Sequence, residues 1–386
     1  MGHEMSFSPA TFGRKLAVLR ADLGQDVTAI AKASGIPADR LHGFEHGEVV
    51  PTGDEVLILA DHFRKDFRFL LVDDAVDPDA GVEILFRQCG DELSVGDRLA
   101  IAEFVFLCRN EAFLESELGR EKPEQPFIFT KRGTNRKRHG RECAAALRTH
   151  IGLSERHVIR DIYGTIRDLG IRVFRRRLEN SRISGIFIRH PDAGRCILVN
   201  IAENMARQRF SAAHELGHAL LDQEPVAMSM IGEWPSNALA EIRANTFAAD
   251  FLMPPGLLRS VTQDRWTDPA EVSTWAERLR VSVPALLSAL YAAGLVDHEQ
   301  RALLRQNTPR PPEPPDPELE GELTAVQRTR KIALLDIGLS KRYVDLCFDG
   351  YLRGVISRGR LAEMLLANWA ETVEIAELFG RRLGHA

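Results

Sequence analysis

Cysteine is scarce in this chain of 386 residues: five in all, an odd number, with no two at CxxC spacing. That excludes a disulfide scaffold and a four-cysteine zinc site. No apolar run reaches the ~18 residues needed to span a bilayer, and residues 1–11 lack the basic-then-apolar order of an export signal. An excess of positive charge is missing too. With 50 Lys and Arg against 55 Asp and Glu the formal net charge is −5, so the molecule as a whole is no polycation built to coat nucleic acid. These absences predict a soluble cytoplasmic protein with no membrane partner, long enough for two or three domains.

What is present centres on residues 207–221, Arg-Gln-Arg-Phe-Ser-Ala-Ala-His-Glu-Leu-Gly-His-Ala-Leu-Leu. His214 and His218 are four apart, so on a helix they lie on one face and can bind a single divalent ion. Glu215, beside the first, can take a proton from a water that the ion acidifies. The apolar flanks make the helix buriable, with Gly217 allowing close approach of another backbone. A third ligand is expected from the helical run that starts near Glu241 and stops at Met253-Pro254-Pro255. Glu241 completes a His₂Glu set with a fourth position open, and Asn245, one turn on, can hold the outer nitrogen of His214. Zinc, one per chain, suits two imidazoles and a carboxylate; Mn²⁺ and Fe²⁺ are compatible with the same ligands. Tyr163 and Arg209 are candidates for stabilising an oxyanion.

Upstream, residues 12–71 read as short apolar-faced helices, with a break holding Gly35 that carries the helix-turn-helix signature. This part resembles the repressor-like XRE-type domain, except that Val27 stands where the family usually has a phosphate-contacting glutamine. Eight Lys/Arg against nine Asp/Glu leave it at −1. Phosphate neutralisation supplies most DNA affinity, so DNA binding, with Arg40 on the recognition helix, and protein docking are both open readings. Residues 131–141 hold Lys131, Arg132, Arg136, Lys137, Arg138 and Arg141, either a solvated linker or a patch that tracks nucleic-acid phosphates. Short β-rich runs at 171–174, 183–188 and 196–199 precede the histidine helix, and a second helix is expected at 158–169. An edge strand there could pair with an extended substrate.

Arg209-Phe-Ser-Ala-Ala-His-Glu-Leu-Gly-His218, the step to Glu241, and the Ala244-Asn245…Phe247-Ala248…Leu252-Met253-Pro254 ending resemble the ImmA/IrrE family over roughly 141–295. The resemblance implies a zinc peptidase with ligands His214, His218 and Glu241 and general base Glu215, whose substrate is an XRE-type repressor. It implies release of repression after DNA damage, other stress or phage attack; the basic run and the helix-turn-helix keep DNA open as a partner, single-stranded as activator or as an operator duplex. Regulation could come from a thiolate occupying the open position. Cys89, in Phe86-Arg-Gln-Cys-Gly-Asp91, and Cys108 are the candidates. The competing reading is a DNA-binding transcriptional regulator whose peptidase-like domain is a sensor.

The expected fold is mainly α, α+β, in five segments. Residues 1–72 are the XRE-like helix-turn-helix, 73–140 a helical connector with a basic linker, and 141–305 a zincin-like metallopeptidase domain with a small β-sheet and the HExxH helix. Residues 306–322 are an extended, mobile proline-rich linker, and 323–386 a C-terminal helical domain too short for a GAF-like sensor.

Overall fold

In the N-terminal part of the chain, side chains decide where helices begin. The computed structural model contains α1 (Pro9–Asp22), α2 (Val27–Ser34), α3 (Ala38–Glu45), α4 (Gly53–His62) and α5 (Phe67–Leu71). Ser8, Asp26, Thr52 and Asp66 each accept from a backbone N–H of the turn that follows, satisfying donors that a helix start leaves open. Their apolar faces meet in a core of Phe12, Leu16, Ile30, Leu41, Phe44 and Leu59. Described residues are 7–72, 79, 82, 85–86, 92–120, 127–130, 133–180, 182–222, 226–230 (backbone course only), 238–319 and 321–383.

The chain divides into two compact units. One holds Met1–Asn110 with Leu178–Asn180 and His190–Asp192; the other holds Glu111–Arg177, Ser181–Arg189 and Ala193–Ala386. The division falls inside the long helix α6 (Val95–Glu117), so the expected connector is not a body of its own. The boundary expected at 140/141 also falls inside a helix, α7 (Arg136–His150). Asn135 caps it by accepting from the N–H of Arg138 at 3.0 Å, and Arg136, Lys137 and Arg138 of the basic run form its first turn.

Helix α8 (Ile162–Asp168) starts four residues later than the pattern at 158–169 suggests. The reason is that the backbone before it is engaged elsewhere. Arg148 donates to the carbonyl of His157, and Arg209 to those of Ile159 and Arg160, so Asp161 becomes the cap. Strands β1 (Arg172–Arg176), β2 (Ile183–His190) and β3 (Gly194–Asn200) follow, then the histidine helix α9 (Met205–Leu221) and a strand not foreseen, β4 (Val226–Met230). The sheet order is β1-β3-β2-β4, with β1 parallel to β3 and β4 antiparallel to β2. The result is the mainly helical α+β arrangement of a zincin-like domain.

Helix α10 (Ala238–Leu252) packs between α9 and α7. Two glycines permit it: a Cβ at Gly217 would stand 3.2 Å from Ala244 Cα, and one at Gly140 would overlap the carbonyl oxygen of Arg243. Phe247 and Phe251 then stack at 5.4 Å in a core shared with Ala213 and Leu216 of α9 and Phe187 and Val199 of the sheet. Helices α11 (Pro255–Arg259), α12 (Pro269–Leu279), α13 (Val283–Ala292) and α14 (His298–Asn307) complete that core.

The proline-rich segment is not a free linker. Asp316 takes both terminal nitrogens of Arg175 at 2.9 and 2.8 Å, Glu313 accepts from the N–H of Met205 at 2.5 Å, and Glu318 pairs with Arg167 at 3.3 Å. Six prolines hold the segment extended, and the acids between them tie it to β1, α8 and the start of α9.

Helices α15 (Ala325–Asp336), α16 (Lys341–Leu352), α17 (Arg358–Met364) and α18 (Trp369–Leu378) lie in the same unit as the sheet. The N–H of Arg177, just past β1, donates to Asp336 O at 2.9 Å, and Phe174 meets Tyr343 edge-on at 5.5 Å. The C-terminal helices therefore cover the β1 edge. No helix among the described residues is long and apolar enough to cross a membrane.

Candidate metal centre

Helix α9 is a favourable place for two imidazoles because its surroundings are dry. Asn204 caps it, and the turns carrying the motif are buried on all sides. His214 and His218 are nearly inaccessible, and Glu215 is fully buried. Glu241 sits in the first turn of α10, half-buried and facing both histidines.

The outer nitrogens of the two rings are engaged. His214 Nδ1 lies 3.0 Å from Asn245 Oδ1, and His218 Nδ1 lies 2.6 Å from Asp222 Oδ2. A carboxylate only accepts, so His218 carries its proton on Nδ1 and turns the Nε2 lone pair inward; the Asn245 oxygen selects the same tautomer of His214. Both Nε2 atoms then face each other at 2.9 Å, and each faces one oxygen of Glu241 at 3.2 Å.

Lone pairs brought this close repel unless a cation lies among them. Ligands ~2.0–2.1 Å from a tetrahedral zinc stand about 3.3 Å apart, so this triangle has the dimensions the ion requires. Among the described residues, His214, His218 and Glu241 are the group whose donor atoms converge in this way.

Strand β2 closes the other side of Glu215. A Cβ at Gly185 would stand 2.8 Å from Glu215 Cγ and Oε1, so the strand passes at a distance that only glycine permits. Just beside it, Ser184 and Ser211 hydroxyls donate to the carboxylate of Glu203 at 2.9 and 3.1 Å, fixing β2 against the first turns of α9.

Residues 166–291 match the family model of the IrrE N-terminal-like domain, a peptidase family. Over this segment the chain is similar to the ImmA/IrrE family. The matched span carries β1–β4, the histidine helix and Glu241, and the family's metallopeptidase chemistry agrees with the converging donors. No curated protein matches the chain.

The structure brings His214, Glu215, His218, Glu241 and Asn245 together but engages Tyr163 and Arg209 elsewhere. The Tyr163 hydroxyl contacts Gln208 Oε1 at 3.5 Å, six residues and about 9 Å of helix before His214. Burial pushes its phenol up to about 12. The Arg209 guanidinium donates to the carbonyls of Ile159, Arg160 and Arg280, and thus pins loops rather than facing the ligands.

Cys108 is fully buried on α6 in the N-terminal unit. Cys89, Lys131 and Arg132 lie outside the described residues. Arg40 is clamped by Glu55 at 2.7 and 2.8 Å. Of the α7 cations, Arg136 is half-buried, Lys137 is exposed, and Arg138, also exposed, pairs with Glu142 at 2.5 Å. Sequence reading overlooked Asp222 and Gly185. The spacing 214-218-222 is a signal for the first; for the second there is none.

Proposed function

We propose that this protein is a zinc-dependent endopeptidase that cleaves an XRE-type repressor and thereby switches on a stress, DNA-damage or phage-defence operon. The observation carrying this reading is the meeting of two imidazole lone pairs and a carboxylate beside the fully buried Glu215. When bound by His214, His218 and Glu241, zinc supplies Lewis-acid polarisation of the scissile carbonyl and an acidified water. Glu215 accepts the proton of the attacking water and returns it to the leaving amine. The outer edge of β4, which no strand covers among the described residues, suits an extended peptide added as a further strand. In the N-terminal unit the clamp on Arg40 and the acidic balance favour docking of protein over capture of DNA.

The decisive experiment is co-expression with the repressor of the neighbouring operon, with and without DNA damage, followed by mass analysis. A single discrete cut, together with one zinc per purified chain, is the expected result. Intact repressor beside a zinc-free chain would leave the sensor reading in its place. A second expectation concerns Gly185. Because an added methyl must displace Glu215, Gly185→Ala should slow cleavage about 10²-fold, the usual cost of misplacing a catalytic group by about 1 Å. Zinc content should not change, and a parental rate in this variant would show that Glu215 has room to spare.

A further inference from the structure

Helix α10 serves the metal centre at three alternating positions. Glu241 offers a ligand atom and Asn245 engages His214. Between them, Arg243 pairs with Asp222, the residue bonded to His218. Arg243 and Asp222 are both buried, with side chains 8% and 7% exposed. A buried ion pair is costly to form and costly to break from one side. This one therefore holds its partners in a single arrangement.

Asp222 is also where α9 ends. Its N–H closes the last turn on His218 O at 3.0 Å, and its backbone then turns extended. One of its oxygens is taken by Arg243, which leaves the other aimed at His218 Nδ1. A helix-ending aspartate needs neither partner: acids are disfavoured at helix C-termini, where the dipole is negative. An arginine from another helix and a histidine one turn back both compensate it here.

We propose that Asp222 is a positioning residue of the metal centre, aimed by Arg243, which fixes the tautomer and tilt of His218 and strengthens its Nε2 as a donor. This rests on the metallopeptidase reading. It makes α10 the element that assembles the site, since it brings one ligand and governs the outer nitrogen of both others. Partners of this kind govern metal affinity by about 10–100-fold.

The test is zinc affinity of the purified full chain, measured by competition with a chelating indicator, alongside melting of the metal-free protein. Asp222→Ala combined with Arg243→Met removes both charges, so no buried charge is stranded. It should bind zinc about 10–100-fold more weakly while melting close to the parent when metal-free. Asp222→Asn keeps an acceptor but loses the charge, and should lose about 10-fold. The absorption of the cobalt-loaded variants should also shift as the His218 ring tilts. If the double variant does not fold, the asparagine variant decides alone. Parental zinc affinity in every variant that folds overturns the proposal. A parent chain that binds no zinc at all overturns the metal reading beneath it instead.

Discussion

Glu215→Gln should slow peptide cleavage by about 10²–10⁴-fold, the range that a positioned general base supplies, while the chain still binds one zinc. The prediction separates two roles that neighbouring residues in one motif can confuse. Glutamine has the shape of glutamate, so the packing against Gly185 is preserved and the ligand triangle keeps its form. Glu215 is not one of the converging donors, so metal content should not follow the rate. What glutamine cannot do is accept a proton from water. Cleavage of purified repressor, timed beside zinc analysis of the same preparation, checks both halves. A parental rate would remove Glu215 from the chemistry, and loss of zinc would make it part of the binding site. His218→Ala provides the contrast: there zinc and activity should fall together.

The parts of this site that were legible in the sequence are those set by local geometry. A four-residue spacing puts two side chains on one helical face wherever the helix sits, so His214 and His218 could be paired without knowing the fold. Glu241 and Asn245 followed from the same periodicity on a helix bounded by Met253-Pro254. What could not be read depends on which elements meet. Gly185 matters because β2 crosses Glu215, and nothing around residue 185 in the chain says so. Arg243 is an ordinary polar position of α10 until the docking against α9 puts it beside Asp222. β4 is a five-residue strand whose pairing with β2 is settled by register in the sheet. The late start of α8 has the same origin. Residues 158–161 suit a helix by pattern, but Arg148 and Arg209, buried from elsewhere, draw away the carbonyls of His157, Ile159 and Arg160.

The proline-rich segment shows the same limit most sharply and yields the largest expected loss of stability. Composition describes its backbone well, since six prolines make it extended. Composition does not describe its acids, because their partners lie more than a hundred residues upstream in the chain. Arg175, 4% exposed, faces Asp316, with the Tyr163 ring 4.8 Å from its guanidinium carbon and Gln208 Oε1 at 3.3 Å. Asp316→Ala would leave that guanidinium buried with a ring face and one amide oxygen for company. Breaking a buried pair from one side costs about 3–5 kcal/mol; the two remaining contacts place this case at about 3 kcal/mol. The denaturant midpoint of the C-terminal unit should fall accordingly, and Arg175→Met in the same chain should recover most of the loss, because a well-packed apolar pair often replaces a buried ion pair without penalty. Had the segment been a mobile linker, Asp316→Ala would move nothing. The same tether reaches the helix that carries both histidines, since Glu313 holds the N–H of Met205 at the first turn of α9. Loosening the segment should therefore weaken zinc retention in the double variant as well, even where the melting temperature has been restored.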